Sequence, residues 1–235
     1  MSIGIGLLLS MSAAGNSVRG MGFTSVWAIT SHPDSFISDL SPRLLPAMEA
    51  DRSQHRAQAR WERWLQAPLP DYRTWYRSSG STSADDAAVE SFRELTAPGL
   101  NVDAMCCGEV DPDFCVIDDV WTDQPGDGLF VSVNSKEYAV ASLFHAIGPA
   151  RASLLPGWCG NFLLTSAQVR QTLPRVERAV TFTEAFTEAE RSAADAQDWL
   201  YYSPREESVL DGSLRLWRAA AENGLGLCGV AVHVS

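Results

Sequence analysis

The sequence predicts a single α+β domain: a mixed sheet with several packed helices, its C-terminal strand central. Three observations carry this expectation. Phe23–Thr30 and Leu227–Val234 are rich in Val, Ile, Ala and Trp in the manner of strands, whereas several longer stretches repeat apolar residues at helical spacing. A hydrophobic content of 46% with eight tryptophans supplies a packed core and excludes global disorder. A length of 235 residues suits one large domain.

Residues 1–20 stand apart from the rest. Ile3 to Leu9 is apolar, but no Lys or Arg precedes it and the run is too short to span a bilayer. It reads as a first strand or as a leader ahead of a second start at Met21, leaving residues 21–235 as the α+β domain. After the strand at Phe23–Thr30, Ser41-Pro42 opens a long helix by the cap-then-proline rule. Ala47, Ala50, Ala57, Trp61, Trp64 and Leu65 share one side of that helix, and Pro68 and Pro70 end it.

Residues 78–88 (SSGSTSADDAA) form a polar, low-complexity stretch expected to be a flexible loop. Residues 98–128 are expected to be irregular, bracketed by Pro98-Gly99 and Pro125-Gly126. Leu129–Val133 reads as a strand. A helix from Lys136 to Ile147 comes next and stops at Gly148-Pro149. Phe162–Leu164 then leads into Thr165-Ser166-Ala167-Gln168, a capping box in which Thr165 and Gln168 satisfy each other's amides. Val169, Leu173, Val176 and Val180 continue as one stripe, with Pro174 kinking or restarting the helix. After it the pattern gives a helix over Glu184–Leu200 and a capping box at Ser203–Glu206. Gly212 divides the last helical stretch, in which Leu214, Trp217 and Ala221 line one face until Asn223-Gly224 ends it. The terminal strand is apolar on both sides, which is the pattern of a buried, central strand.

Charge is distributed unevenly. Between Ser81 and Glu137 thirteen acids face only Arg93 and Lys136, so this stretch nets −11, the charge of the whole chain. Such a field repels nucleic acid and anionic membrane and favours a basic partner. Arg43 to Arg77 carries seven arginines interleaved with aromatics, a pattern that binds single-stranded nucleic acid elsewhere. Four acids share that stretch, so the better reading puts Trp61 and Trp64 in the core and the arginines on a solvated face. Five cysteines without framework spacing read as reduced thiols in a cytoplasmic protein.

Short landmarks are similar to those of a known group. Met21-Gly22-Phe23-Thr24-Ser25-Val26, Asp118-Asp119-Val120-Trp121, Gly148-Pro149-Ala150-Arg151, Leu164–Val169 and Trp217–Gly224 resemble the YfbM-like bacterial proteins. Thr122-Asp123-Gln124 and the span from Leu154 to Asn161 depart from that pattern. The resemblance implies a single α+β domain without a settled activity, and it brings no catalytic residue with it.

For function the residues offer two readings. The first is a non-catalytic binding protein, immunity-like or regulatory, which recognises a basic protein or a small-molecule ligand through Asp111, Asp113, Asp118, Asp119 and Trp121. The second is an enzyme using Cys159, set between glycines, with His145 or His233 as base. A variant of it uses a cation held by the acids from Glu109 to Asp123, although their spacing does not make an EF-hand loop. Cys106-Cys107 has no half-site partner for zinc, and neither a P-loop nor a dinucleotide glycine pattern occurs. No metal and no cofactor are therefore expected.

Overall fold

Four strands, β1 (Thr24–His32), β2 (Leu129–Ser135), β3 (Phe162–Leu164) and β4 (Gly226–Val234), form one sheet in the order β2-β1-β4-β3. The structure, a computed structural model, describes residues 24–67, 69–71, 75, 83–122, 124, 127–135, 138–182 and 208–234. Every strand pairing is antiparallel, which corrects the expected mixed sheet. Parallel neighbours arise from a strand–helix–strand crossover. Here each pair of neighbouring strands is separated by at least two helices. The terminal strand is central as expected, held between β1 and β3.

The helices are α1 (Asp34–Arg52), α2 (His55–Gln66), α3 (Ser83–Thr96), α4 (Leu100–Cys106), α5 (Ala141–Ala152), α6 (Ser166–Val180) and α7 (Val209–Asn223). Alternation along the strands sends Trp27, Ile29, Phe130 and Ala231 to one face of the sheet. There they join Trp64 of α2, Phe92 of α3, Phe144 of α5, Val176 of α6 and Trp217 of α7. Val26, Ala28, Val230 and Val232 face the other way, onto Leu44 of α1, Val102 of α4, and Val120 and Trp121. A sheet covered on both faces explains why β4 is apolar on both of its sides.

Several boundaries differ from expectation for local reasons. The first long helix starts at Asp34, after Pro33, and Ser41-Pro42 lies inside it. Pro42 and Pro46 both sit on its exposed side, so the carbonyls that lose their donors face water and the helix continues. Ser53 and Gln54 then break the expected single helix into α1 and α2. In α5, Gly148 has φ +70 and kinks the helix, and Pro149 begins a last turn to Ala152 instead of stopping it. Pro174 and Gly212 lie within continuous helices α6 and α7. The capping box at Thr165 and Gln168 and the left-handed cap at Gly224 stand as read.

Of the polar stretch expected to be a loop, residues 83–88 open α3, and Asp85 and Asp86 sit in its first turn, where acids favour a helix. The acidic segment is likewise more ordered than expected: it contains α4 and a π-helical turn at Ile117–Trp121. Residues 1–20, the helix at Glu184–Leu200 and the box at Ser203–Glu206 lie outside the described residues.

Asp51 shows how α4 is held. This buried carboxylate, in the last turn of α1, accepts from the main-chain N–H of Asn101 and of Val102, both at 3.0 Å, and from Asn101 Nδ2 at 2.7 Å. It thereby satisfies amides at the start of α4 that have no partner within the helix.

Candidate functional site

Three residues with positive φ, Gly157, Cys159 and Gly160, fall within the segment Gly157–Asn161. Trp158 and Asn161 exchange main-chain hydrogen bonds of 2.9 Å, closing a two-residue turn over Cys159 and Gly160. Both central residues have positive φ, +46 at Cys159 and +85 at Gly160, the signature of a type I′ hairpin turn. Cys159 is the single non-glycine residue with positive φ among the described residues. A side chain in that region costs about 1–2 kcal/mol, so its surroundings must hold it there. They do so through two bonds. The indole of Trp27 donates to the Gly160 carbonyl at 3.0 Å, and Asn161 Oδ1 accepts the Ala231 N–H of β4 at 2.8 Å.

This fixed turn walls a cavity of about 410 Å³. Trp158 and Trp61 of α2 line it with ring centroids 5.5 Å apart, and Phe144 and Cys159 lie with them. Arg52 at the end of α1 and Arg175 of α6 line the same space, as does Gln58, and no carboxylate of the described residues does. Leu155 and Pro156 are shared with a smaller, mostly apolar void of about 20 Å³ that Trp217 lines. The buried indole N–H of Trp217 has no hydrogen-bond partner among the described residues. The exposed lining of the larger cavity is more polar than apolar, so the space is an open, polar cleft with an aromatic wall, of the volume that small-molecule sites have.

The residues expected to form a thiol enzyme are not brought together. Cys159 does lie at the cavity, but it is buried, and burial pushes its thiol well above the ordinary range, so it is protonated at neutral pH. His145 of α5 packs edge-on against Trp75 at 5.1 Å and near Phe92, and burial lowers its pKa to about 4. His233 belongs to another cluster, at the edge of β4 beyond β3. There Asp103 Oδ1 accepts the His233 main-chain N–H at 2.8 Å and Oδ2 meets its Nδ1 at 2.9 Å. The thiol of Cys107 lies 3.8 Å from the His233 carbonyl and from Asp103 Oδ1. Its pKa is pushed up to about 11, first by desolvation and then by the Asp103 charge.

The expected acidic surface is also redistributed. Trp121 is 2% exposed and part of the core against α1 and α4, so it is no contact residue. Asp111 pairs with Arg43 at 3.5 Å and accepts from the Asp113 N–H at 3.2 Å. Asp119 accepts the Cys115 N–H at 2.8 Å and so holds the start of the π-helical turn. Asp113 and Asp118 stay exposed. Among the described residues no group of three or more His, Cys, Asp or Glu side chains is arranged to hold a metal ion. No helix of the described residues is long and apolar enough to cross a membrane.

Arg52, Arg175 and the pairing of Trp61 with Trp158 were not legible as a site. The glycines around Cys159 signal a turn, but the residues that share its cavity come from α1, α2, α5 and α6, and only folding assembles them. Compared with family models, with curated proteins and with solved structures, the chain matches none.

Proposed function

We propose that this chain is a non-catalytic binding protein whose ligand is a small molecule seated in the Trp61–Trp158 cavity. The observation that carries the reading is the conjunction of that cavity, about 410 Å³, with a turn held rigid in a costly conformation at its wall. Backbone strain kept in place by its surroundings is concentrated at ligand sites, because a preformed wall spares the complex the entropy of ordering it. The enzyme alternative has less support. Its thiol is protonated and its two candidate bases are engaged elsewhere, one among aromatic rings and one by Asp103. A basic protein partner is also less favoured, since Asp111 and Asp119 serve internal contacts and Trp121 is buried.

Native mass spectrometry after incubation with a small-molecule extract tests the reading. The wild-type chain should retain an adduct of metabolite size, and Ser153→Trp, which fills the cavity from an exposed position on its rim, should not. An adduct kept by a folded Ser153→Trp would place the ligand elsewhere.

A further inference from the structure

The cavity also carries information on the sign of its ligand, and this step rests on the small-molecule reading above. Several described arginines are paired with acids: Arg43 with Asp111, Arg60 with Glu94, Arg93 with Glu90 and Arg218 with Glu177. Arg52 and Arg175, like Arg56, Arg63 and Arg178, are not among these pairs. Among the described residues neither guanidinium has an ion pair or a hydrogen-bond acceptor, although the chain carries a net charge of −11 and acids are abundant. Both line the same space, which has no described carboxylate in its wall. Glu49 lines an adjoining cleft of about 140 Å³ together with Arg52 and makes no ion pair with it.

We infer that the cavity binds a small organic anion, a carboxylate or phosphate ester, that carries a flat apolar ring. A guanidinium presents its N–H groups in a fork that matches carboxylate and phosphate oxygens. The rings of Trp61 and Trp158 offer the apolar part a π surface, and the protonated Cys159 thiol adds no competing charge. The field of the whole protein works against an approaching anion, so two cations at the mouth also restore a favourable local potential there.

Calorimetric titration with three probes of one shape separates the possibilities: indole-3-acetate, its neutral amide indole-3-acetamide, and the cation tryptamine. Indole-3-acetate should bind at least about tenfold more tightly than the amide, and tryptamine should be the weakest. Arg52→Ala/Arg175→Ala should remove that preference by weakening the acetate far more than the amide; both positions are exposed, so the fold is retained. Rising salt should weaken the acetate alone. Equal affinity for all three probes, or a preference for tryptamine, would overturn the anion inference and leave the cavity reading standing. Trp158→Ala tests that reading itself: unchanged binding of every probe by this folded variant, or no saturable binding by the wild type, would defeat both.

Discussion

Asp103 grips His233 twice, taking its main-chain N–H at 2.8 Å with one oxygen and its ring Nδ1 at 2.9 Å with the other. The contact fastens α4 to the edge of β4 that β3 is too short to cover. Together with Asn161 Oδ1 on Ala231 it supplies acceptors to a strand edge that would otherwise present bare amides. Asp103→Ala should therefore lose about 1–3 kcal/mol in urea denaturation. Asp103→Asn, which keeps an acceptor for the main-chain N–H, should recover most of it. Equal losses would mean that the ring contact dominates.

Gly160→Ala should destabilise the protein by at least about 2 kcal/mol. At φ +85 its new Cβ would lie 2.6 Å from Val140 Cγ2 and 3.0 Å from Trp27 Nε1, opening the bond that anchors the turn. Gly148→Ala is the control. Its φ is +70 but a Cβ there meets nothing within 4 Å, so only the conformational cost of about 1 kcal/mol applies. Thermal unfolding of the pair reads the difference directly.

Alkylation should order the cysteines by exposure. Cys107 is exposed and should react with iodoacetamide first, slowed by a thiol pKa of about 11. Cys106, Cys159 and Cys228 are buried with raised pKa values, that of Cys228 about 12, and should react only on unfolding. Peptide mapping against time is the measurement. Rapid labelling of Cys159 would put the thiol enzyme first.

Stability should fall as the solution is acidified through the histidine range. Burial lowers His32 and His145 from 6.5 to about 4, so each is neutral in the fold while its unfolded counterpart takes up a proton. The unfolded state then binds more protons, and stability declines between about pH 6.5 and pH 4, by a total on the order of 3–6 kcal/mol for the two histidines. Asp34 acts below that window: the Ser166 N–H and hydroxyl hold its carboxylate below the ordinary range, a contribution lost when it is protonated. Denaturation at a series of pH values should show the upper limb flattened in His32→Gln/His145→Gln.

The features legible in the sequence were those determined locally. The Thr165–Gln168 capping box, the cap at Gly224 and the two-sided apolar pattern of β4 each depend on neighbouring residues, and each is present. Pro42 and Gly148 misled because their effect depends on surroundings: the proline faces water, and the kink at the glycine leaves room for another helical turn. The acids misled for a related reason. Charge density along the chain records composition, whereas Asp51, Asp103 and Asp119 are held by main-chain amides that only the folded chain brings within reach. The Arg52–Arg175 cavity was invisible for the same reason.

The central pairing of β1 with β4 has a kinetic consequence. Thr24 lies opposite Val234 and His32 opposite Gly226, so the innermost ladder joins segments from nearly opposite ends of the described chain. Closing so long a loop spends chain entropy before the contacts return anything. The slow step of refolding should be the arrival of β4, with helix signal preceding strand protection in pulse-labelled hydrogen exchange. During synthesis β1 and β3 must wait without their common neighbour until β4 leaves the ribosome. The apolar row of β1 is thus the stretch that a chaperone would meet first.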